Sequence, residues 1–119
     1  MRKCWATSWL LVVLVAAPGF PAEQTAPLFE RHVRPILKAS CFPCHGEEEQ
    51  LEGGLDLRLR RFLLAGGDSG PAIVPHQADA SLLLERLRSG EMPPGDKDKL
   101  SSEQLALIER WIATGAHTA

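Results

Sequence analysis

Cys41-Phe42-Pro43-Cys44-His45 stands in the first half of a chain of 119 residues, and its reading decides the rest. The spacing C-x-x-C-H is that of c-type haem attachment. Two thiols three positions apart can form thioethers with the two vinyl groups on one porphyrin edge. A histidine directly after the second thiol is then placed to give the iron an axial nitrogen. The sequence therefore predicts one covalently attached haem c, held by Cys41 and Cys44 with His45 as proximal ligand.

Other uses of two cysteines fit less well. A tetrahedral zinc site would oblige Cys41 and Cys44 to recruit two of His32, His45, His76 and His117, yet no second C-x-x-C and no H-x(3–5)-H is present. A thioredoxin-like pair needs a strand before it and a βαβ setting, which the pattern lacks. A structural disulfide stays open as an alternative, giving a stapled interaction module without haem. Gly67-Asp68-Ser69-Gly70-Pro71 looks like a serine-protease nucleophile segment, but a chain this short cannot supply that fold and its triad.

The distal side of the iron points to Met92. It is the only methionine besides Met1, and Met92-Pro93-Pro94 is a proline-stiffened loop on which a thioether can be held at a fixed distance. His32, His76 and His117 are the alternative sixth ligands. A haem-ligating histidine ordinarily donates its second ring N–H to a fixed acceptor, for which a backbone carbonyl near Gly53 or Gly54 is expected. Arg58, Arg60 and Arg61 can pair with haem propionates or form a solvated basic face. Glu47, Glu48 and Glu49 read as either a docking patch or a solvated loop.

The N-terminus fits such chemistry, which requires export. Met1-Arg2-Lys3 followed by the apolar run from Trp9 to Ala17 reads as a secretory leader over residues 1–22, with a cut expected after Gly19 or Ala22. The run is well short of the roughly 20 residues of a membrane span, so a membrane is a partner only if the leader stays uncleaved as an anchor. Residues 23–119 then form the mature domain, in the periplasm or an equivalent extracytoplasmic space. Loss of Arg2 and Lys3 takes the net charge from −2 to −4. With no basic cluster, nucleic acid is excluded as a partner.

The mature chain is small, and its aromatics are Phe29, Phe42, Phe62 and Trp111. So few large side chains leave a core that a bound group must help to fill. The periodicity predicts an all-α domain. A first helix is expected from a Thr25 cap to about Lys38, broken at Pro35. A short helix follows at about 60–64. Another, capped by Asp79 or Ser81, turns Leu82, Leu83 and Leu87 inward and stops at Gly90. The last starts at a Ser101/Gln104 capping box with a Leu100/Leu105 staple, buries Leu105, Ile108, Trp111 and Ile112, and ends at Gly115. The glycine- and proline-rich connections between helices are of the kind that wrap a ligand.

Taken in order, "FERHVRPIL" at 29–37, "CFPCHG" at 41–46, "GGLDLR" at 53–58, "GGDSGPAIVP" at 66–75, "SLLLERL" at 81–87, "MPP" at 92–94 and "LIERWIATGA" at 107–116 resemble the planctomycete-type cytochrome c domain. The resemblance implies the small class I cytochrome c fold, with Cys41 and Cys44 as thioether residues, His45 as proximal ligand and Met92 as distal ligand. It implies a single-electron carrier rather than an enzyme, with a redox protein partner and a dependence on cytochrome c maturation machinery. A labile sixth ligand would make it a small-ligand sensor or a peroxidase-like module instead. One departure is His76, where the family usually places a glycine.

Overall fold

The computed structural model describes residues 12–17, 19 and 25–119. The basic start at Met1 and the Phe20 to Ala22 stretch holding the expected cut points lie outside these residues. Val12, Val13, Leu14 and Val15 belong to no helix, are at least three-quarters exposed and add nothing to the core.

The domain is all-α, as the periodicity predicts. A π-helical turn, Phe29–Val33, leads into α1 (Arg34–Ser40), followed by α2 (Phe42–His45), α3 (Arg60–Ala65), α4 (Leu82–Ser89) and α5 (Ser102–Ala113). Single 3-10 turns occupy Glu52–Gly54 and Ala78–Ala80. Among the described residues there is no strand, only one isolated bridge between Gly67 and Gly70.

The first helix departs from expectation at its start. Leu28, not Thr25, is the N-cap, in extended conformation and without a side-chain cap of its own. Its N–H donates instead to Nδ1 of His32 at 2.9 Å, one turn ahead. Pro27 favours extended backbone before it, so the chain cannot turn helical as early as Thr25. The expected break at Pro35 takes a specific form. The Arg34 N–H reaches back to the Phe29 carbonyl, a wide π turn, and Pro35 falls in the first turn of α1, where its missing donor leaves no bond unmade. Phe29, Val33 and Leu37 are fully buried along one face.

At the other end, the boundaries of α5 fall where its sequence predicts, with Ile108, Trp111 and Ile112 buried but Leu105 only partly covered. The Gln104 N–H donates to Ser101 Oγ at 3.1 Å and the Ser101 N–H donates to Gln104 Oε1 at 2.9 Å, the reciprocal bonds of a capping box. Gly115, at φ 112°, closes the helix: its N–H donates to the Ile112 carbonyl and the Ala116 N–H to that of Trp111, a Schellman stop. The turn sends the tail back across both terminal elements. The His117 carbonyl accepts from Phe29 N–H at 2.8 Å and from Trp111 Nε1 at 2.9 Å, and the rings of Phe29 and Trp111 pack 5.5 Å apart. Arg60 Nε donates to the Ala116 carbonyl.

α4 corrects two expectations. Ser81 occupies the N-cap but makes no cap bond. Its hydroxyl, buried, accepts from the Val74 N–H and donates to the Gln77 carbonyl, both at 2.9 Å. A preceding loop that needs these partners outcompetes the helix end for them. The buried leucines are Leu83, Leu84 and Leu87, while Leu82 is only partly covered. In an uninterrupted leucine run, the turn preceding the helix sets which residues face inward.

Between α2 and α4 the backbone holds itself by local contacts. The Asp68 N–H donates to the Gly53 carbonyl at 2.8 Å, Ala72 N–H to Leu63 and Leu83 N–H to Ala72. A Cβ on Gly67 would lie 2.4 Å from the Gly53 carbonyl oxygen, so only glycine allows these two loops to meet.

Two measurements check this account. Ser101→Ala should cost about 1 kcal/mol in urea denaturation, the usual cost of a lost cap. Gly67→Ala should lower the thermal midpoint more than Gly53→Ala, which meets nothing within 4 Å and strains only its left-handed φ of 60°. Equal midpoints would contradict the close approach of the two loops.

Candidate haem site

The cysteine motif is one turn of helix folded on a single carbonyl. Cys41 ends α1, donating its N–H to Leu37 at 2.7 Å, and begins α2, its carbonyl accepting from His45 N–H at 2.9 Å and Cys44 N–H at 3.2 Å. Pro43 lies in the first turn, where a missing donor is harmless. Phe42 is buried beneath the turn, with the Arg34 guanidinium 5.7 Å over its ring. This geometry buries Cys41 and leaves Cys44 exposed, both as free thiols.

Burial pushes the Cys41 thiol up to about 11, with the nearby Cys44 sulfur adding to the effect. The cost falls on the thiolate. A thioether has no ionisable proton and would be indifferent to this burial.

His45 is half-buried, and its Nδ1 lies 3.2 Å from the Leu55 carbonyl. A carbonyl only accepts, so Nδ1 carries the hydrogen and the Nε2 lone pair is left for a metal. The acceptor expected near Gly53 or Gly54 is thus one residue further along. The same two segments are joined again by the Leu57 N–H donating to the His45 carbonyl at 2.8 Å.

Cys41, Cys44 and His45 line one part of a cavity of about 480 Å³, and Met92, Pro93 and Pro94 line another. Leu55, Leu57 and Ala72 and the α4 residues Leu82, Leu83 and Leu87 supply apolar walls, with Gly53, Gly67 and Gly70 where the loops come close. Leu82, only partly covered, thus lines the cavity together with the buried Leu83 and Leu87. Glu52 and Arg86 also line it.

The structure places the other sequence candidates elsewhere. His32 is occupied by the Leu28 N–H. His76 and His117 both pack against Gly115, away from the cavity lining. His76 has φ 68°, the left-handed conformation that explains a preference for glycine at this position, and its N–H donates to the Ile112 carbonyl. Arg58 pairs with Asp56 at 2.7 Å and holds that carboxyl below its ordinary range, chiefly through side-chain hydrogen bonding. Arg60 serves the C-terminal tail, and Arg61 lies over the Phe62 ring. The arginine that lines the cavity is Arg86, which charge pattern alone did not single out. Glu47, Glu48 and Glu49 are exposed in the loop after His45.

The residues present fit a haem. A sulfur pair on one helical turn, an imidazole with Nδ1 already engaged and a thioether share one largely apolar cavity, within the usual range for cofactor pockets. Among the described residues no three His, Cys, Asp or Glu side chains gather as a metal cluster. Nor is any helix among them long and apolar enough to cross a membrane.

No curated protein and no solved structure matches the chain. The family model described as Planctomycete cytochrome C matches residues 41–96, a span that begins at the first motif cysteine and runs past the Met-Pro-Pro loop. It contains all four candidate ligating residues. Over that span the chain is similar to the planctomycete-type cytochrome c family, a likeness that points to a haem-binding, electron-transfer role.

Proposed function

We propose that this chain is an exported monohaem c-type cytochrome that carries single electrons to and from a redox protein partner. The observation that carries this reading is the convergence of Cys41, Cys44, His45 and Met92 on one apolar cavity, with His45 Nδ1 already bound to Leu55. Cys41 and Cys44 would be the thioether anchors, His45 the proximal nitrogen donor and Met92 the distal sulfur donor, in a class I cytochrome c arrangement. Haem c, once attached, supplies a one-electron Fe(III)/Fe(II) couple.

The polypeptide's part is to hold and shield. The Leu55 carbonyl fixes the tautomer and orientation of His45, which strengthens it as a donor. Leu57, Leu82, Leu83 and Leu87 keep water from the centre and so favour the less charged iron state. The exposed Cys44 marks the side on which a haem edge would approach solvent, where a partner can dock without a substrate entering. With His45 and Met92 both holding the haem iron, no place would be left for a substrate, and the domain would serve as a carrier rather than an enzyme. Residues 1–22 would direct export to the periplasm or an equivalent space, where maturation machinery attaches the haem, and 23–119 would remain as the mature domain.

The apolar lining also accounts for a dependence on the cofactor, because a bound haem would cover leucine walls that otherwise face solvent.

Expression with cytochrome maturation machinery should yield one haem per chain by the pyridine haemochrome assay; colourless protein from that host would refute the reading. A Cys41→Ala/Cys44→Ala variant made without haem should show little cooperative melting by circular dichroism, and a native-like transition would contradict the argument from the cavity. Met92→Ala should lower the reduction potential and admit cyanide to the ferric iron. Voltammetry and cyanide titration unchanged from wild type would remove Met92 from the ligand set.

A further inference from the structure

Met92 sits on a loop whose backbone is poor in donors. Neither Pro93 nor Pro94 has an N–H, so of the three residues Met92 alone can donate, and its N–H reaches the Arg86 carbonyl of α4 at 3.1 Å. This bond ties the loop to α4 on one side. A second contact on that side joins the Arg86 guanidinium to Glu91.

The other side is closed by a cation. Lys99 Nζ donates to the Gly90 carbonyl at 2.5 Å and to the Pro93 carbonyl, the two residues that bracket the segment carrying Met92. Gly90, at φ 77°, turns the chain out of α4, and Gly95 and Asp98, also left-handed, bring it round so that Lys99 returns to the loop's mouth. An ammonium has three donors and no acceptor, so one side chain can gather both carbonyls where the prolines offer no backbone donor.

We propose that Lys99 is a positioning residue that latches the Met92 loop over the cavity. The role rests on Met92 being the distal ligand. A thioether is a neutral donor, and its seat on a metal depends on how firmly the surrounding shell presents it. Lys99 does not line the cavity; it acts by holding the two ends of the loop together.

The test uses the haem-loaded protein with Lys99→Met, Lys99→Arg and, as a control of equal charge change, Lys97→Met, which lies exposed on the same loop. Three quantities are read: the far-red sulfur-to-iron band of the ferric form, the rate of cyanide binding and the thermal midpoint. Lys99→Met should bind cyanide about tenfold faster, the factor carried by about 1.4 kcal/mol, with a weakened band. Lys99→Arg should restore both, and Lys97→Met should match wild type. Cyanide binding at the wild-type rate in Lys99→Met overturns the latch, as does equal acceleration in Lys97→Met, which would make the effect one of charge. So does a drop in thermal midpoint with no change in rate, the mark of a merely structural contact. A haem-loaded wild type without the far-red band removes Met92 as ligand and the latch with it, whereas a normal wild-type band with an unresponsive Lys99→Met sinks the latch alone.

Discussion

Two hydrogen bonds on one residue hold the site in register. His45 donates from Nδ1 to the Leu55 carbonyl and accepts at its own carbonyl from the Leu57 N–H. The first sets which imidazole nitrogen is free, and the second fixes the helical turn that carries both cysteines against the extended segment after the acidic loop. Leu57 is thereby delivered to the core and Leu55 to the cavity wall. If these bonds were lost, the cysteines would still be adjacent in sequence, but the imidazole would have no defined direction.

The domain is organised around a space as much as around a core. Its two terminal elements meet through Phe29, Trp111 and the shared His117 carbonyl, forming a conventional packed junction. The connections between α2 and α4 instead follow the cavity, held by single backbone bonds and by glycines that allow close approach. This division explains why a short chain poor in aromatics needs long irregular segments. Segments that enclose a ligand need not satisfy a helical or strand ladder of their own.

How much of this was legible in the sequence depends on the range of each interaction. The α5 boundaries could be read because a capping box spans four residues and a Schellman stop six, so the pattern and its cause lie side by side. The first helical segment starts at Phe29 rather than after Thr25 because Thr25 is a good cap only in isolation, while Leu28 is served by His32 from the following turn. Ser81 was misread for a similar reason: its hydroxyl answers to Val74 and Gln77, which approach only once the loop has folded. In α4, Leu83 and Leu87 are buried as expected but Leu84 takes the place given to Leu82, since three successive leucines have no unique apolar face.

At the site the same rule separates what each level determined. Spacing along the chain alone marked Cys41, Cys44 and His45 as candidates for haem attachment, because that chemistry requires sequence neighbours, and the scarcity of methionine made Met92 the candidate on the other side. Tertiary structure decided that these residues line one cavity, that Leu55 is the acceptor for His45, that Arg86 and not Arg58, Arg60 or Arg61 reaches the cavity lining, and that Lys99 closes the Met92 loop. Each of those contacts depends on where an irregular segment comes to rest, and such segments are placed by partners distant in sequence rather than by their own residues.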